Sequence, residues 1–349
     1  MSRQLTCFAV PLEREVRSGD DLAQLLTARA GLRDGDVVVV TSKVVSKAEG
    51  RVVEMPRAAA VAAETDRTVA VRGGTSIVRT RHGLVMAAAG VDASNTHPGT
   101  VVLLPVDPDR SARRLREDLA AAGPNVAVLV ADTSGRAWRK GQTDIAVGAA
   151  GIEVLDSFVG RTDPYGNPLA VTAPAVADEL TGAAELVTGK LGGAPFAVAR
   201  GLGRLVLARG SHGPGAAGLV REEAHDMFGY GAREAVRAAL VAPADAARGF
   251  GSAVGADELS EAVRAVHGDA DALDRVTVRV VPGNATTVDV HLHCDDEGLD
   301  GAWALGRAEL TVRAVATSMG WAAEPPEAGP TGGGSSGLQV RVRLRPATP

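Results

Sequence analysis

Apolar and polar positions follow one another along the chain in blocks that predict short strands and helices. Residues 5–10 predict a strand, and residues 37–40 are an unbroken run of valines, typical of a strand covered on both faces. Between these strands, Asp20 and Asp21 are placed to cap a helix. The apolar face of that helix is formed by Leu22, Leu25, Leu26 and Leu32.

Three predicted strands run directly into polar clusters. They are residues 37–40 followed by TSK, residues 84–91 followed by DASN, and residues 126–131 followed by DTSGR. Strand ends on a rigid scaffold commonly carry ligand-binding residues, so the three clusters predict a shared site.

The remaining patterns of the larger part predict an α+β fold. Helices are expected at residues 109–122, with arginines on the outer face, and at 174–187, with Val176, Leu180 and Leu186 directed inward. Strands and helices mix without a strict βαβ repeat. This order favours mixed and antiparallel sheets with helices over a doubly wound parallel sheet.

A chain of 349 residues suggests two domains. The sequence after Val241 is typical of a linker, so we expect a large domain at residues 1–243 and a small α+β domain at 244–349. The small domain is predicted to contain helices at 256–266 and 302–319, a hairpin of 276–281 with 286–293, a flexible loop at 332–337 and a strand at 338–344.

Composition excludes several classes of protein. The net charge of -5 supplies no general attraction to nucleic acid or to anionic membranes. Cys7 and Cys294 are too few for a disulfide framework, which indicates a reducing compartment. No apolar run reaches the roughly 18 residues of a membrane span. We therefore expect a soluble, cytoplasmic protein.

The polar clusters contain residue types suited to a divalent cation and to phosphate. Asp92, Asp132 and the hydroxyl of Thr133 are the hard oxygen ligands that Mg²⁺ or Mn²⁺ prefers, although each aspartate alone is equally typical of a turn or cap. The hydroxyls and ammonium groups of the next cluster suit phosphate oxygens; they belong to Ser42, Lys43, Ser46 and Lys47. The alternative is a solvated strand edge guarded by lysines. Neither a Walker loop nor a dinucleotide glycine motif is present.

Residues 132–144 place cations, carboxylates, an amide and an aromatic ring in one short segment after a buried strand. Arg136 and Arg139 are candidates for clamping a phosphate or carboxylate, or for ordinary surface ion pairs. Asp144 and Glu49 are candidates for a general base.

Five stretches, in this order, resemble the coenzyme F420:L-glutamate ligase family, specifically the F420-0:gamma-glutamyl ligase part of its actinobacterial fusion type. They are VVVVTSKVVSKAEGR, LVMAAAGVDASN, ADTSGRAWRKGQTDIAVGAAGI, RTDPYGNPLAVTAPAVADEL and VTGKLGGAPFAVARGLG. The resemblance covers about residues 4–240.

The resemblance implies roles for residues of each stretch. Divalent metal ions would be held by Asp92, Asp132 and Thr133. Nucleotide contacts would be made by Glu13, Arg14, Glu15, Val16, Ser42, Lys47, Asn95 and Lys190. The chain departs from the family at Glu13 and Arg14, where members usually carry a Leu-Pro start, and at Lys190, where archaeal members have glutamine. A charged lysine does not ligate a cation, so Lys190 departs from what a second metal site requires.

The implied activity is a GDP-forming ligase of coenzyme F420 biosynthesis. GTP would phosphorylate the terminal carboxylate of F420-0 or dehydro-F420-0, and the amine of L-glutamate would displace the phosphate. The implied ions are Mg²⁺ or Mn²⁺, one or two per site, with K⁺ as a further candidate, and the implied assembly is a homodimer. Two rival interpretations are a non-catalytic protein that binds the deazaflavin precursor, and a flavin-dependent reductase acting through the C-terminal domain. That domain resembles, at most, a degenerate nitroreductase-like remnant.

Overall fold

The computed structural model describes residues 4–121, 123–222, 225–226, 228–241, 246–267, 276–282, 286–325 and 337–347. The chain divides into two compact units, Met1–Val220 and Arg221–Pro349. Both contain mixed or antiparallel sheets with helices, which confirms the predicted α+β class. The domain division at residues 243–244 was expected from composition alone and stays a prediction.

The first unit carries most of the secondary structure. Its elements are β1 (Thr6–Val10), α1 (Leu22–Ala30), β2 (Val37–Thr41), α2 (Ser42–Ala48), β3 (Val52–Glu54), α3 (Arg57–Glu64), β4 (Thr65–Arg72), β5 (Thr75–Thr80), β6 (Val85–Ala87), β7 (Thr100–Val102), α4 (Pro108–Ala121), β8 (Ala127–Gly135), β9 (Gln142–Ala150), β10 (Arg161–Thr162), β11 (Pro168–Leu169), α5 (Val176–Thr188) and β12 (Phe196–Arg200).

A five-stranded sheet with strand order β1-β12-β2-β8-β9 forms the centre of this unit. Only β2 and β8 run parallel; the other neighbours are antiparallel. Smaller sheets pair β3 with β7, β10 with β11, and β4, β5 and β6 with one another. The sheet is therefore mixed, as the irregular order of elements predicts.

Helices cover both faces of the central sheet, because the parallel strands β2 and β8 are apolar on both sides. Val38 and Val40 pack in one core with residues of α1, α2 and α4, whereas Val37 and Val39 pack in the other with residues of α5. Successive side chains of a strand point to opposite faces, so an all-valine strand needs both layers. The prediction of a doubly covered strand is confirmed.

Three local predictions were wrong. The strand expected at residues 84–91 is only β6, because Ala88 and Ala89 adopt positive φ and form a 3₁₀ turn. β8 does not stop at residue 131 but continues to Gly135. Leu186 is 87% exposed. The buried stripe of α5 follows every fourth residue through Val176, Leu180 and residue 184, and Leu186 lies on the opposite side of the helix.

The second unit contains α6 (Ala232–Val241), α7 (Ala256–His267), β13 (Val276–Pro282), β14 (Val288–Cys294), α8 (Leu299–Ser318), β15 (Trp321–Ala323) and β16 (Leu338–Pro346). Its antiparallel sheet has the order β13-β14-β16-β15, and α7 and α8 share one apolar core with it. The expected helices, hairpin strands and last strand are present. Most of the loop predicted at 332–337 lies outside the described residues.

None of the helices in the described part of the chain combines the length and apolar character that a membrane span requires.

A buried arginine ties α4 to the loops beside it. Arg116 is 3% exposed and has no carboxylate partner among the hydrogen bonds of the described residues. It donates instead to the carbonyls of Val126, Ser211 and Leu207 and to Asn125 Oδ1, at 2.5–3.1 Å. Burial lowers the pKa of Arg116. Its guanidinium therefore links α4 to the carbonyls of the neighbouring loops, and the bond to the Val126 carbonyl is fully buried.

We predict that Arg116→Ala lowers the free energy of unfolding by about 3 kcal/mol, because the packing of a buried side chain and its hydrogen bonds to the neighbouring loops are lost together. Chemical denaturation followed by circular dichroism measures the change. Arg114→Ala, on the exposed side of the same helix, is the matched control and should change stability by less than about 0.5 kcal/mol. Equal effects of the two substitutions would contradict the prediction.

Candidate functional site

Many polar side chains of the first unit line a cleft with a volume of about 670 Å³. It lies where β2 ends at Thr41 and the chain turns into α2, while the neighbouring β8 continues past that point. The polar side chains of its lining include Arg14, Glu15, Ser42, Lys43, Ser46, Lys47, Asp92, Asn95, Asp132, Thr133, Gln142, Asp144, Thr181, Glu185 and Lys190.

α2 supplies two hydroxyls and two ammonium groups to the cleft. Ser42 and Ser46, like Lys43 and Lys47, are four residues apart, and this spacing places each pair on one helical face. Ser42 Oγ donates to Asp132 Oδ1 at 3.1 Å. Ser46 is 1% exposed, and its Oγ has no hydrogen-bond partner within the described structure. The segment is thus a helix facing a cleft and not a lysine-guarded strand edge.

Asp132 is a carboxylate inside the cleft, and no ammonium or guanidinium group of the described residues pairs with it. Its hydrogen bonds come from the Ser42 hydroxyl and the backbone of Thr133. Burial raises the pKa of Asp132 to about 6, and the neighbouring carboxylates of Asp144 and Asp92 add to the increase. The site therefore holds negative charge at a place where the protein provides little to offset it.

Asp92 and Asn95 approach the same cleft from the segment before β7. Lys43 Nζ lies 2.5 Å from Asp92 Oδ2, and Ser94 donates to the same carboxylate. Burial would raise the pKa of Asp92, but the hydrogen bonds from Lys43 and Ser94 outweigh it and hold the pKa below its ordinary value. Asn95 has a φ of 52° and offers its backbone carbonyl to Lys47 at 3.1 Å.

The loop before α1 contributes Glu15 and, beside it, Arg14 and Val16. Lys47 Nζ lies 2.5 Å from Glu15 Oε1, and this hydrogen bond lowers the pKa of Glu15. Arg14 also lines the cleft and donates to Asp20. Glu13, the other residue expected in this loop, is exposed and outside the lining.

A β-bulge determines which side chains meet across the β8–β9 hairpin. Val130 pairs with Gly148, and continuing this register would place Thr133 opposite Ile145. A register shift after Val130 places Thr133 opposite Asp144 instead, and Thr133 Oγ1 donates to Asp144 Oδ1 at 2.8 Å. The bulge thus brings a hydroxyl and a carboxylate together at the end of the cleft near α5.

Lys190, which follows α5, binds this hydroxyl–carboxylate pair. Its Nζ lies 2.7 Å from Thr133 Oγ1, 3.0 Å from Asp144 Oδ1 and 2.5 Å from Glu185 Oε1. Burial lowers the pKa of Lys190, but the hydrogen bonds to Glu185 and Asp144 outweigh it and raise the pKa. Glu185 also accepts from the backbone N–H of Asp144 at 3.1 Å.

Other predicted site residues lie outside the cleft. Arg136 donates to the carbonyl of Lys140 within the β8–β9 turn, and Arg139 is exposed; neither belongs to the lining. Glu49 accepts a short hydrogen bond from Ser111 and is likewise outside the lining. Of the two candidate bases, only Asp144 is in the cleft.

Sequence reasoning missed two residues of the site. Glu185 was treated as part of an ordinary helix, and Ser46 was included among the hydroxyls suited to phosphate but not among the expected nucleotide contacts. Had residues 42–48 been predicted as a helix, the four-residue spacing of Ser42 and Ser46 would have placed both hydroxyls on the same face. No comparable signal marked Glu185, because its role depends on the packing of α5 beside β9.

Within the described residues, no group of three or more His, Cys, Asp and Glu side chains is arranged to hold a metal ion by itself. Metal binding in the cleft therefore requires further oxygen donors, such as hydroxyls, water or a bound phosphate.

The model of one protein family, F420-0:Gamma-glutamyl ligase, matches residues 13–201, which is more than half of the chain. The chain belongs to this family. The match lies inside the first unit and includes every cleft residue named above. The resemblance noted in the sequence is confirmed.

Relatives in the family share about two-fifths of the aligned residues. A protein named coenzyme F420:L-glutamate ligase from Methanopyrus kandleri is 42% identical over 241 residues, covering 63% of this chain and 95% of the relative. Proteins of the same name from Archaeoglobus fulgidus and Halorubrum lacusprofundi are 39% and 40% identical, covering 54% and 55% of this chain and 84% and 86% of themselves.

We predict that Asp132→Asn raises the free energy of unfolding by about 3 kcal/mol at pH 7–8, measured with a chelator present so that no metal ion is bound. The value follows from the difference between the pKa of about 6 in the folded state and the reference pKa of 3.8. The pKa is raised on folding, so the ionised carboxylate costs stability as pH rises through this range. The gain from asparagine should shrink to roughly 0.5 kcal/mol at pH 4, because the carboxyl group is then neutral in the folded state and about half ionised in the unfolded state.

Urea unfolding of both proteins between pH 4 and pH 8 measures the difference. Asp118→Asn, on the exposed side of α4, is the matched control and should change stability by less than about 0.5 kcal/mol throughout. A stability difference for Asp132→Asn that does not grow with pH would refute the prediction.

Proposed function

We propose that the first unit is a ligase that uses GTP to join L-glutamate, through a γ-type amide bond, to coenzyme F420-0 or its dehydro precursor. The printed names of the relatives support the reaction class. The observation that carries the proposal is the partly buried carboxylate of Asp132, beside the ammonium groups of α2 and the hydroxyl of Ser46. Among the described residues, Asp132 has no cationic partner and the Ser46 hydroxyl has no hydrogen-bond partner. Such a site suits a polyphosphate bound together with a divalent cation.

The side chains of α2 retain donors for phosphate oxygens. An ammonium group has three N–H donors, and Lys47 uses two of them, on Glu15 and on the carbonyl of Asn95. The hydroxyl of Ser46 is free to donate. We place the phosphates of GTP along this face of α2, beside the backbone of the loop that contains Glu15.

The oxygen donors of the cleft fit Mg²⁺ or Mn²⁺. Asp132 is the anchor, because its raised pKa reflects negative charge that a cation would offset. Of the further donors expected from sequence, Asp92 is paired with Lys43, and the Thr133 hydroxyl is engaged by Lys190 at the other end of the cleft. A bound divalent ion would neutralise phosphate oxygens and draw charge from the transferred phosphoryl group. The residues present therefore fit the metal that the family resemblance implies.

The reaction balances in two steps. A carboxylate oxygen of the precursor attacks the γ-phosphorus of GTP, the bond to the β–γ bridging oxygen breaks, and GDP leaves. The amine of L-glutamate then attacks the acyl carbon, phosphate leaves with the former carboxylate oxygen, and the amine loses a proton. Lys47 and the Ser46 hydroxyl would stabilise charge on the phosphate oxygens during the first step.

Asp144 is assigned a positioning role. Its carboxylate is held by Thr133 and Lys190, and its backbone N–H by Glu185, so it is committed to fixing one wall of the cleft. Glu49 is engaged by Ser111 outside the cleft. Neither is assigned as the base that deprotonates the glutamate amine. Orientation of the amine and the acyl phosphate supplies a large part of the catalysis in this proposal.

We predict that the purified chain, given GTP, Mn²⁺ or Mg²⁺, L-glutamate and F420-0, forms glutamyl adducts that mass spectrometry detects. Asp132→Asn should lower the rate by about 100-fold or more, because the cation would lose its anchor. Asp118→Asn is the control and should leave the rate unchanged.

Two outcomes would contradict the proposal. The first is tight binding of F420-0 without any adduct, which would favour a deazaflavin-binding protein. The second is adduct formation that Asp132→Asn leaves unchanged, which would place the chemistry elsewhere. A yellow protein with bound flavin and no adduct would favour the reductase interpretation.

We predict that Ser46→Ala raises the dissociation constant for GTP in the presence of Mn²⁺ by about 10–100-fold, the value of one hydrogen bond to a charged group. Stability should not fall, because the Ser46 hydroxyl has no partner to lose. Isothermal titration calorimetry and thermal unfolding provide the two readouts. Ser18→Ala, at an exposed position outside the cleft, is the control. Lost stability with unchanged GTP affinity would show that Ser46 is structural.

Two further expectations join this proposal. The free thiols of Cys7 and Cys294 are consistent with a cytoplasmic location. The family resemblance implies a homodimer, and light scattering on the full chain would test it by measuring the molar mass in solution.

A further inference from the structure

The end of the cleft near α5 already contains a cation. Lys190 Nζ, on a side chain that is 54% exposed, contacts the hydroxyl of Thr133 and the carboxylates of Asp144 and Glu185, all within 2.5–3.0 Å. Three oxygen atoms from three different elements, two of them charged, are the kind of donors that a hard cation takes. Here an ammonium group of the protein occupies their centre.

Most acidic groups of the cleft are paired in the same way. Lys43 contacts Asp92, and Lys47 contacts Glu15, each at 2.5 Å. Asp132 is different: it receives a hydroxyl and a backbone N–H, and no ammonium group contacts it within the described structure. One carboxylate of the cleft is thus left for a cation that the chain does not supply.

A second observation, at Ser46, indicates that a polar ligand would bind beside that carboxylate. Ser46 is 1% exposed and lines the cleft, and its Oγ has no hydrogen-bond partner within the described residues. Ser46 lies one helical turn after Ser42, which donates to Asp132. A buried hydroxyl without a partner indicates a polar ligand, so the Asp132 end of the cleft is open for one, whereas the Lys190 end is filled.

We infer that the Lys190 ammonium is a resident cation at the Thr133–Asp144–Glu185 end of the cleft, and that the cleft consequently binds one divalent ion, anchored at Asp132, and not two. This inference rests on the proposed function for its role, because a fixed positive charge beside the transferred phosphoryl group would do part of the work of a second metal ion. Its geometry stands on the ion pairs alone.

The β-bulge and α5 hold this ammonium group in place. Asp144 is opposite Thr133 because of the register shift in β9, and Glu185 is bound to the backbone of Asp144. Removing the positive charge of Lys190 while keeping a neutral amide would leave a hydroxyl and two carboxylates around a free centre. Lys190→Gln should therefore open a second divalent site.

Counting bound Mn²⁺ tests the inference. The full-length chain is treated with a chelator, desalted and titrated with Mn²⁺ alone, and free Mn²⁺ is followed by electron paramagnetic resonance. We expect one ion per chain in the wild type and two in Lys190→Gln. Lys190→Arg keeps the charge and should bind one ion. Lys140→Gln, which removes an exposed lysine outside the cleft, is the matched control and should also bind one.

Each other result overturns the inference. Two ions in the wild type would show that Lys190 does not exclude the second, and one ion in a folded Lys190→Gln would show that it does not occupy a cation site. No binding by the wild type would remove Asp132 as the anchor. Circular dichroism checks that each variant is folded. If Lys190→Gln does not fold, the number of ions bound by the wild type alone tests the inference.

The ion count and the ligase assay fail separately. A wild type that binds one ion, with a second gained in Lys190→Gln, but forms no glutamyl adduct would refute the proposed function and leave this inference standing. Adduct formation with two ions in the wild type would do the reverse.

Discussion

The cleft depends on a difference in length between two neighbouring parallel strands. β2 ends at Thr41 and turns into α2, whereas β8 continues to Gly135 and pairs only with β9 beyond that point. Both strands are held firmly, because apolar cores cover both faces of the sheet. The extension of β8 therefore brings its polar residues into a space that β2 has left open, while the buried part of the strand fixes their position.

Alternation along this extension distributes the chemistry. Asp132 points to the side of α2, where it meets Ser42, and Thr133 points to the side of α5, where it meets Lys190. The bulge in β9 adds Asp144 to the second group. Two adjacent residues of one strand thus belong to the two ends of one cleft, one paired with a cation of the protein and one without.

The unpaired carboxylate is where stability and the proposed function oppose each other. Burial raises the pKa of Asp132 to about 6, so the charged form destabilises the fold near neutral pH. The same charge is what would attract a divalent ion and, with it, the phosphates of a nucleotide. A carboxylate whose pKa is raised by burial is typical of functional sites, because asparagine would fill a structural role equally well.

The sequence by itself determined the doubly covered strand β2, the cap of α1 and the motifs that identify the family, since each depends on local residue type and spacing. It also named most residues of the cleft. Only the tertiary structure decided how they pair. The bulge that sets Thr133 opposite Asp144, the helical face of Ser42 and Ser46, and the approach of Glu185 and Lys190 all depend on register and packing between distant segments. Local patterns do not encode such contacts, because one residue of register exchanges every side chain that meets across a hairpin.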